Sequence, residues 1–210
     1  MEFESFLSLI SKVRNIEPGG ATSQFKMAPI ERKILNSFSL SRRKPKKAAV
    51  LALFYPNRNN ETCFSLILRP NYKGIHARQI SFPGGKFEKS DNNLKATALR
   101  ETYEEIGIRT EDIQIEKQMT NTFIPPSNFL VSPFLGVINY TPTFIFNHEV
   151  EKVIEVKLLD LLNETSVTSK KLSTSYRNNI NVPYYKLNDY TVWGATAMML
   201  SEIKDLLKSI

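Results

Sequence analysis

The amino-acid sequence predicts an α/β fold, and three observations carry that prediction. Residues 48–55 (A-A-V-L-A-L-F-Y) and 63–68 (C-F-S-L-I-L) are continuous apolar runs of strand length, the pattern of buried strands. Residues 3–16 and 193–207 carry apolar residues at helical spacing. Between these segments a glycine turn, Phe82-Pro83-Gly84-Gly85, leads through an acidic loop into a helix bearing Arg100, Glu101, Glu104 and Glu105.

A chain of 210 residues suits one domain, or one domain with extensions. The expected division is an N-terminal helix and connecting arm, residues 1–47, packed on a domain of residues 48–210. In the first helix Phe6, Ile10 and Val13 fall at i, i+4 and i+7, with Phe3 and Leu7 beside them. Acids at its start and Lys12 and Arg14 near its end suit the helix dipole. Pro18-Gly19-Gly20 is the expected stop, and a short helix is expected around residues 30–38 of the arm.

The turn residues at 56–61 make a hairpin of the two apolar runs. Residues 113–123 read as a strand that the Pro125-Pro126 pair breaks. Residues 129–138 read as two apolar pieces around Pro133, and proline within a strand pattern implies an edge or a bulge. Residues 149–156 set Val150, Val153 and Ile154 among acids, and 158–162 form a single helical turn. Residues 163–181 read as a loop or hairpin, 182–187 as a strand, and 193–207 as the closing helix.

The net charge of +7 allows nucleic acid, an anionic membrane or a phosphorylated small molecule as partner. Part of the surplus is the run Arg42-Arg43-Lys44-Pro45-Lys46-Lys47, read as a solvated loop or a phosphate-steering patch. No zinc-finger spacing or aromatic RNA-binding strand accompanies it, so nucleic acid is not the expected partner. No apolar window reaches membrane-spanning length, and the acidic N-terminus is unlike a secretory signal. The single cysteine, Cys63, fits a reducing, cytoplasmic setting. The oligomeric state is open, with a homodimer compatible.

Residues three and four apart on a helix are neighbours, so Glu101, Glu104 and Glu105 are expected on one side within about one turn. Like charges so close repel and raise one another's pKa. An ordinary exposed acidic helix is one explanation. The other is a hard cation, Mg²⁺ or Mn²⁺, which takes oxygen ligands and commonly shares them with substrate phosphates. The glycine turn favours the second, because it can bring a backbone carbonyl beside the carboxylates.

Gly85 followed by Arg100-Glu101-Thr102-Tyr103-Glu104-Glu105-Ile106-Gly107-Ile108 resembles the Nudix box, with Thr102 at a position usually bulky and apolar. The front half departs: Asp91 stands where the box has Glu, with one extra residue before Arg100. Both differences occur in the coenzyme A pyrophosphatase branch. That branch has an upstream signature that Arg69, His76, Gln79 and Phe82-Pro83-Gly84-Gly85 match in register, with Pro70 replacing a small residue and Arg78 the usual Gly. Pro126-Ser127-Asn128-Phe129, Glu149-Val150-Glu151 and Trp193-Gly194-Ala195-Thr196-Ala197 extend the likeness.

The resemblance implies an α/β/α sandwich with a mixed central sheet. It also implies hydrolysis of the diphosphate of coenzyme A, or a derivative, to 3',5'-ADP and 4'-phosphopantetheine. Carried over, Glu101, Glu105 and the Gly84 carbonyl hold the metal with Glu104 close by, and Arg100 orients a carboxylate. Glu104, Glu149 and Glu151 are the candidates for general base. Arg69, His76, Arg78, Gln79, Phe82 and Ser127 fall on the substrate side. Two alternatives stay open: a Nudix hydrolase of another small-molecule nucleotide such as ADP-ribose or NADH, and a non-catalytic Nudix-fold binding module. Retention of all three helix carboxylates speaks against the module.

Overall fold

The computed structural model describes residues 1–32, 44–71, 78–172 and 179–210. Its centre is β1 (Lys46–Pro56), whose residues alternate between two apolar layers. Ala48, Ala52 and Phe54 enter one, while Ala49, Leu51, Leu53 and Tyr55 enter the other. Burial on both faces explains why this stretch is apolar without interruption.

Around β1 the main sheet runs β3 (Ile80–Ser81), β2 (Thr62–Leu68), β1, β7 (Phe129–Val137), β5 (Gln114–Gln118). Three further strands join off this path: β4 (Gly84–Lys86) on β1, β6 (Thr122–Ile124) on β7, and β8 (Lys152–Lys157) on β2. The β1–β7 pairing is parallel and the others are antiparallel, so the sheet is mixed as expected. β1 and β2 form the expected hairpin, Phe54 facing Phe64.

One face of the sheet is covered by α3 (Leu94–Ile106), which contributes Ala98 and Ile106 to the smaller core. The other carries α1 (Phe3–Val13), α2 (Gly20–Gln24), α4 (Leu158–Leu162) and α5 (Gly194–Lys208). Phe3, Phe6, Ile10 and Val13 lie in the same core as Phe54 and Leu200, so the N-terminal helix helps to build the domain's main core. α1 ends at Val13, before Pro18: Lys117 Nζ donates to the Arg14 carbonyl at 3.0 Å and Arg14 forks onto Glu116 at 2.7 and 3.1 Å. The short helix expected around 30–38 lies mostly outside the described residues.

Two expectations change and one open alternative is decided. The stretch 113–123 is two strands, with a register shift between Ile115 and Lys117 and a gap between β5 and β6. β7 is one interior strand rather than two pieces on an edge. Pro133 is accommodated because its carbonyl accepts from Met119 N–H at 2.8 Å, so its own nitrogen faces the same side, into that gap. The segment after residue 163, read as a loop or hairpin, carries β9 (Val167–Leu172), which pairs antiparallel with β10 (Ile180–Leu187); with β11 (Tyr190–Trp193) they form a second, three-stranded sheet. β11 hands directly into α5, which is why Trp193 ends a strand instead of opening the helix.

Candidate active site

The site is built where the glycine turn meets α3. Gly84 has φ 148° and pairs with Val50 of β1. A Cβ there would lie 2.6 Å from Val50 Cα, so only glycine fits. At Gly85 a Cβ would lie 2.5 Å from the Glu101 carboxyl atoms, so the bare turn rests directly on that carboxylate. α3 is fixed at both ends: Asn93 Oδ1 accepts from Ala96 N–H at 2.9 Å, and Gly107, at φ 77°, gives a left-handed close. Thr102, at the box's apolar position, is buried and its hydroxyl donates to the Ala98 carbonyl at 2.7 Å, so no polar atom is stranded.

The three carboxylates do not share one environment, which corrects the expectation of a single acidic face. Glu105 is 1% exposed and accepts from Gly84 N–H at 2.8 Å and from Arg69 Nη2 at 3.2 Å. Burial above all pushes its carboxyl up to about 7, with the charges of Glu101 and Glu149 adding to the rise and Arg69 and the Gly84 N–H opposing it. Glu101 is half-buried on the same face and is also raised, chiefly by burial. Glu104 turns to solvent, held by Arg100 Nη1 at 2.9 Å. The same Arg100 nitrogen lies 3.1 Å from Glu101, so one guanidinium ties the two acids.

Arg100 is itself clamped by a residue whose importance the sequence did not disclose. Asp91 accepts from Arg100 Nε at 2.8 Å and Nη2 at 3.1 Å, a bidentate fork. It also accepts from Thr97 Oγ1 and Glu88 N–H, both at 2.9 Å. These bonds, Arg100's first, hold the Asp91 carboxyl well below the usual carboxylate range. The only signal in the sequence was an acid at a shifted box position, which does not say that the acid faces the arginine.

Arg69, expected on the substrate side, reaches into the carboxylates: its Nη2 spans Glu105 and the Gly84 carbonyl, each at 3.2 Å. Arg78 is exposed and has φ 53°, and its N–H donates to the Pro70 carbonyl at 3.3 Å. Its left-handed backbone gives a physical reason for the glycine usual there. Gln79 is half-buried and its carbonyl accepts from Arg69 N–H at 3.0 Å. His76 lies outside the described residues.

One assignment to the substrate side is corrected. Phe82 is 1% exposed and packs in the main core, so it supports the turn from beneath. Ser127 sits in the β6–β7 turn, where the next residue's carbonyl accepts from Lys46 N–H at 2.8 Å. Lys46 is four residues along β1 from Val50, which pairs with Gly84, roughly 13 Å at strand spacing. Ser127 thus stands along β1 from the glycine turn and not beside it.

Glu149 is exposed, and its charge raises both Glu101 and Glu105. Its own N–H donates to Asn147 Oδ1 at 2.8 Å, and the following Val150 is buried, so the loop presents it firmly. Glu151 is exposed at the start of β8, its N–H donating to the Leu68 carbonyl at 2.9 Å.

Among the described residues no three or more His, Cys, Asp and Glu side chains are already gathered as an ion site. Arg69 and Arg100 occupy the carboxylates instead. The donors still suit a hard divalent cation: two half-buried or buried carboxylates, the charge of Glu101 raising Glu105 and that of Glu149 raising both, beside the Gly84 carbonyl, with oxygen atoms only. A cation would relieve that repulsion.

The NUDIX domain family model matches residues 45–173, more than half of the chain. A peroxisomal coenzyme A diphosphatase of Caenorhabditis elegans is 26% identical over 155 residues, 72% of this chain and 64% of its own length. The mitochondrial coenzyme A diphosphatase NUDT8 of Homo sapiens is 26% identical over 79% of this chain and 71% of its own. An uncharacterized Nudix hydrolase, NudL, of Yersinia enterocolitica is 31% identical over 68% of this chain and 73% of its own. The chain thus spans just under two thirds of the worm relative. Among solved structures, a Nudix hydrolase from M. smegmatis superposes with a TM-score of 0.56 at 13% identity, covering 79% of this chain and 88% of that one. A C. elegans Ap4A hydrolase complex gives 0.52 at 18%, covering 79% and 99%. At these identities the structural likeness establishes the fold alone.

Proposed function

The chain belongs to the Nudix family, and on that premise we propose that it is a divalent-metal-dependent diphosphatase of coenzyme A or its derivatives, releasing 3',5'-ADP and 4'-phosphopantetheine. The observation that carries the proposal is the contact of the glycine turn with Glu101 and Glu105. A backbone carbonyl beside two carboxyls of raised pKa supports a site for a cation that binds a diphosphate. The coenzyme A substrate is supported by the Arg69–Gln79–Phe82 register and by relatives whose names specify that activity.

A bound Mg²⁺ or Mn²⁺ supplies neutralisation of the diphosphate and a water acidified toward neutral pH. Glu101, Glu105 and the Gly84 carbonyl would hold it. Arg100, fixed by Asp91, keeps Glu101 and Glu104 in place, so their geometry needs no rearrangement during the reaction. Proton acceptance from the attacking water falls to Glu149 or Glu104, the exposed acids nearest the buried pair, with Glu151 next along the strand. Arg69, bonded to the Gly84 carbonyl, and the exposed Arg78 are the cations assigned to the incoming substrate phosphates.

The test is incubation of the protein with Mg²⁺ or Mn²⁺ and coenzyme A, ADP-ribose, NADH or a diadenosine polyphosphate, with products identified by mass. Coenzyme A cleaved first, to the two named products, is the expected result. Preference for ADP-ribose or NADH would replace the substrate and keep the chemistry. Arg78, at the family's glycine position, is the observation that favours this second reading. A cytoplasmic setting goes with the proposal through the single, buried Cys63 thiol, although two relatives carry peroxisomal and mitochondrial names; cell fractionation decides this. No helix of the described residues is long and apolar enough to cross a membrane.

A further inference from the structure

A cleft of about 470 Å³ runs along β8, which pairs with β2 alone, walled by residues 152–155 of that strand and 188–190 of the β10–β11 turn. Ile154 and the ring of Tyr190 line it from the core shared with α5. Its position relates it to the carboxylates. Lys152 pairs with Leu68, and the next residue, Arg69, holds Gly84 and Glu105. β11 also packs against β3, the strand that leads into the glycine turn. The Lys152 end of the cleft therefore opens within a residue or two of the arginine that marks the diphosphate site.

The cleft is built rather than incidental. Asn188 and Asp189 have φ 46° and 64°, and Leu187 pairs with Tyr190, a two-residue hairpin of the tight primed type. The Asn188 amide donates to the Glu155 carbonyl at 2.5 Å and staples this turn to β8. Tyr190 is thus held as a half-buried aromatic wall. Lys152 Nζ stands 5.8 Å from its ring centroid. Among the described residues Lys152 forms no ion pair, while the nearby Asp189 carboxylate is taken by Lys186 at 3.3 Å. A fixed aromatic face next to a cation with no carboxylate partner suits a nucleoside carrying a phosphate monoester.

We propose that this cleft is the subsite for the nucleotide end of the substrate, with the base against Tyr190 and a ribose-bound phosphate monoester on the Lys152 ammonium. The proposal deepens the coenzyme A reading and rests on it, since coenzyme A carries such a phosphate remote from the scissile bond. Lys152 and Tyr190 would then determine specificity without touching the reacting atoms.

Calorimetric titration of the Mg²⁺-loaded protein with 3',5'-ADP and with AMP, which lacks the extra phosphate, tests it. Wild type should prefer 3',5'-ADP. Lys152→Ala should weaken 3',5'-ADP about tenfold and leave AMP unchanged, one charge-assisted contact being lost. Tyr190→Ala should weaken both ligands about tenfold, and Tyr190→Phe neither. Equal affinity of wild type for the two ligands, or a Lys152→Ala protein that keeps the wild-type preference, overturns the subsite. Coenzyme A turnover read in parallel separates the two proposals. A preference lost in Lys152→Ala without any coenzyme A cleavage keeps the subsite and sinks the reaction; cleavage whose KM is unmoved by Lys152→Ala does the reverse.

Discussion

Two buried glutamates, both on helices, show how differently the molecule treats the same side chain. Glu202 of α5 is 0% exposed and accepts from Gly20 N–H at 2.8 Å and the Gln24 amide at 3.1 Å. Its neighbour Asp205 accepts from Ser23 Oγ and, at 2.7 and 2.8 Å, from Lys26. These acids tie the N-terminal segment to the last helix, and each meets donors. Glu105 of α3 is as deeply buried, but it faces Glu101 and Glu149 as well as its donors, and its carboxyl rises to about 7. A buried acid surrounded by donors fastens two segments; one set among other acids is held in a state that a cation would complete. Burial alone does not distinguish structure from function, whereas the sign of the neighbouring charges does.

That contrast can be broken from the structural side first. Removing residues 1–13 takes Phe3, Phe6, Ile10 and Val13 from the main core, at about 1.5–3 kcal/mol each. Their sum rivals a domain's whole net stability, so the truncated protein should fail to fold by circular dichroism. A folded, cooperative truncation would show that the segment is an appendage. Next, Glu202→Ala should cost about 2–4 kcal/mol in urea unfolding, because a buried N–H and amide lose their acceptor. Glu105→Gln should instead leave the unfolding midpoint unchanged or higher while cutting turnover at least about a hundredfold, more than the loss of an outer-shell partner to a metal. A Glu105→Gln protein as destabilised as Glu202→Ala would erase the distinction.

A pH series sharpens it. Glu105 in the folded state holds its proton up to about 7, whereas in the unfolded chain it releases it near the ordinary Glu value of 4.5. Between these values the folded state binds more protons, so this group's contribution falls as pH rises. Metal-free protein should lose of order 2 kcal/mol between pH 5 and pH 8, and the loss should vanish in Glu105→Gln and shrink when Mn²⁺ is added. The smallest expected effect is at Arg78: replacement by Gly relieves a left-handed backbone and should raise stability by about 1 kcal/mol. Any accompanying change in preference among coenzyme A, ADP-ribose and NADH would measure what the arginine does for substrate choice.

What was legible in the sequence divides along the same line. The spacing of Glu101 and Glu105, and the glycines that must lie against them, could be read because helix geometry and the absence of Cβ leave little freedom. The two-faced burial of β1 was equally plain from its uninterrupted apolar run. Phe82 was placed on the substrate side because a position in a motif does not reveal which way a side chain points. The clamp of Asp91 on Arg100 depends on a loop path that no periodicity describes. β9 was not distinguished from a loop because all but one of its residues are exposed, so it shows no apolar alternation, and β11 is too short to show a pattern.

Gly84 has a further consequence, for how the gene can vary. With β1 packed behind it, the turn admits no Cβ, and the residue's N–H and carbonyl are both engaged at the site. Every amino-acid replacement reachable by a single-nucleotide change in a glycine codon introduces a side chain. The position therefore has no mild substitution to drift through. A saturation library selected for turnover should return glycine there alone, while Tyr103, exposed on the same helix that meets the turn, should accept several residues.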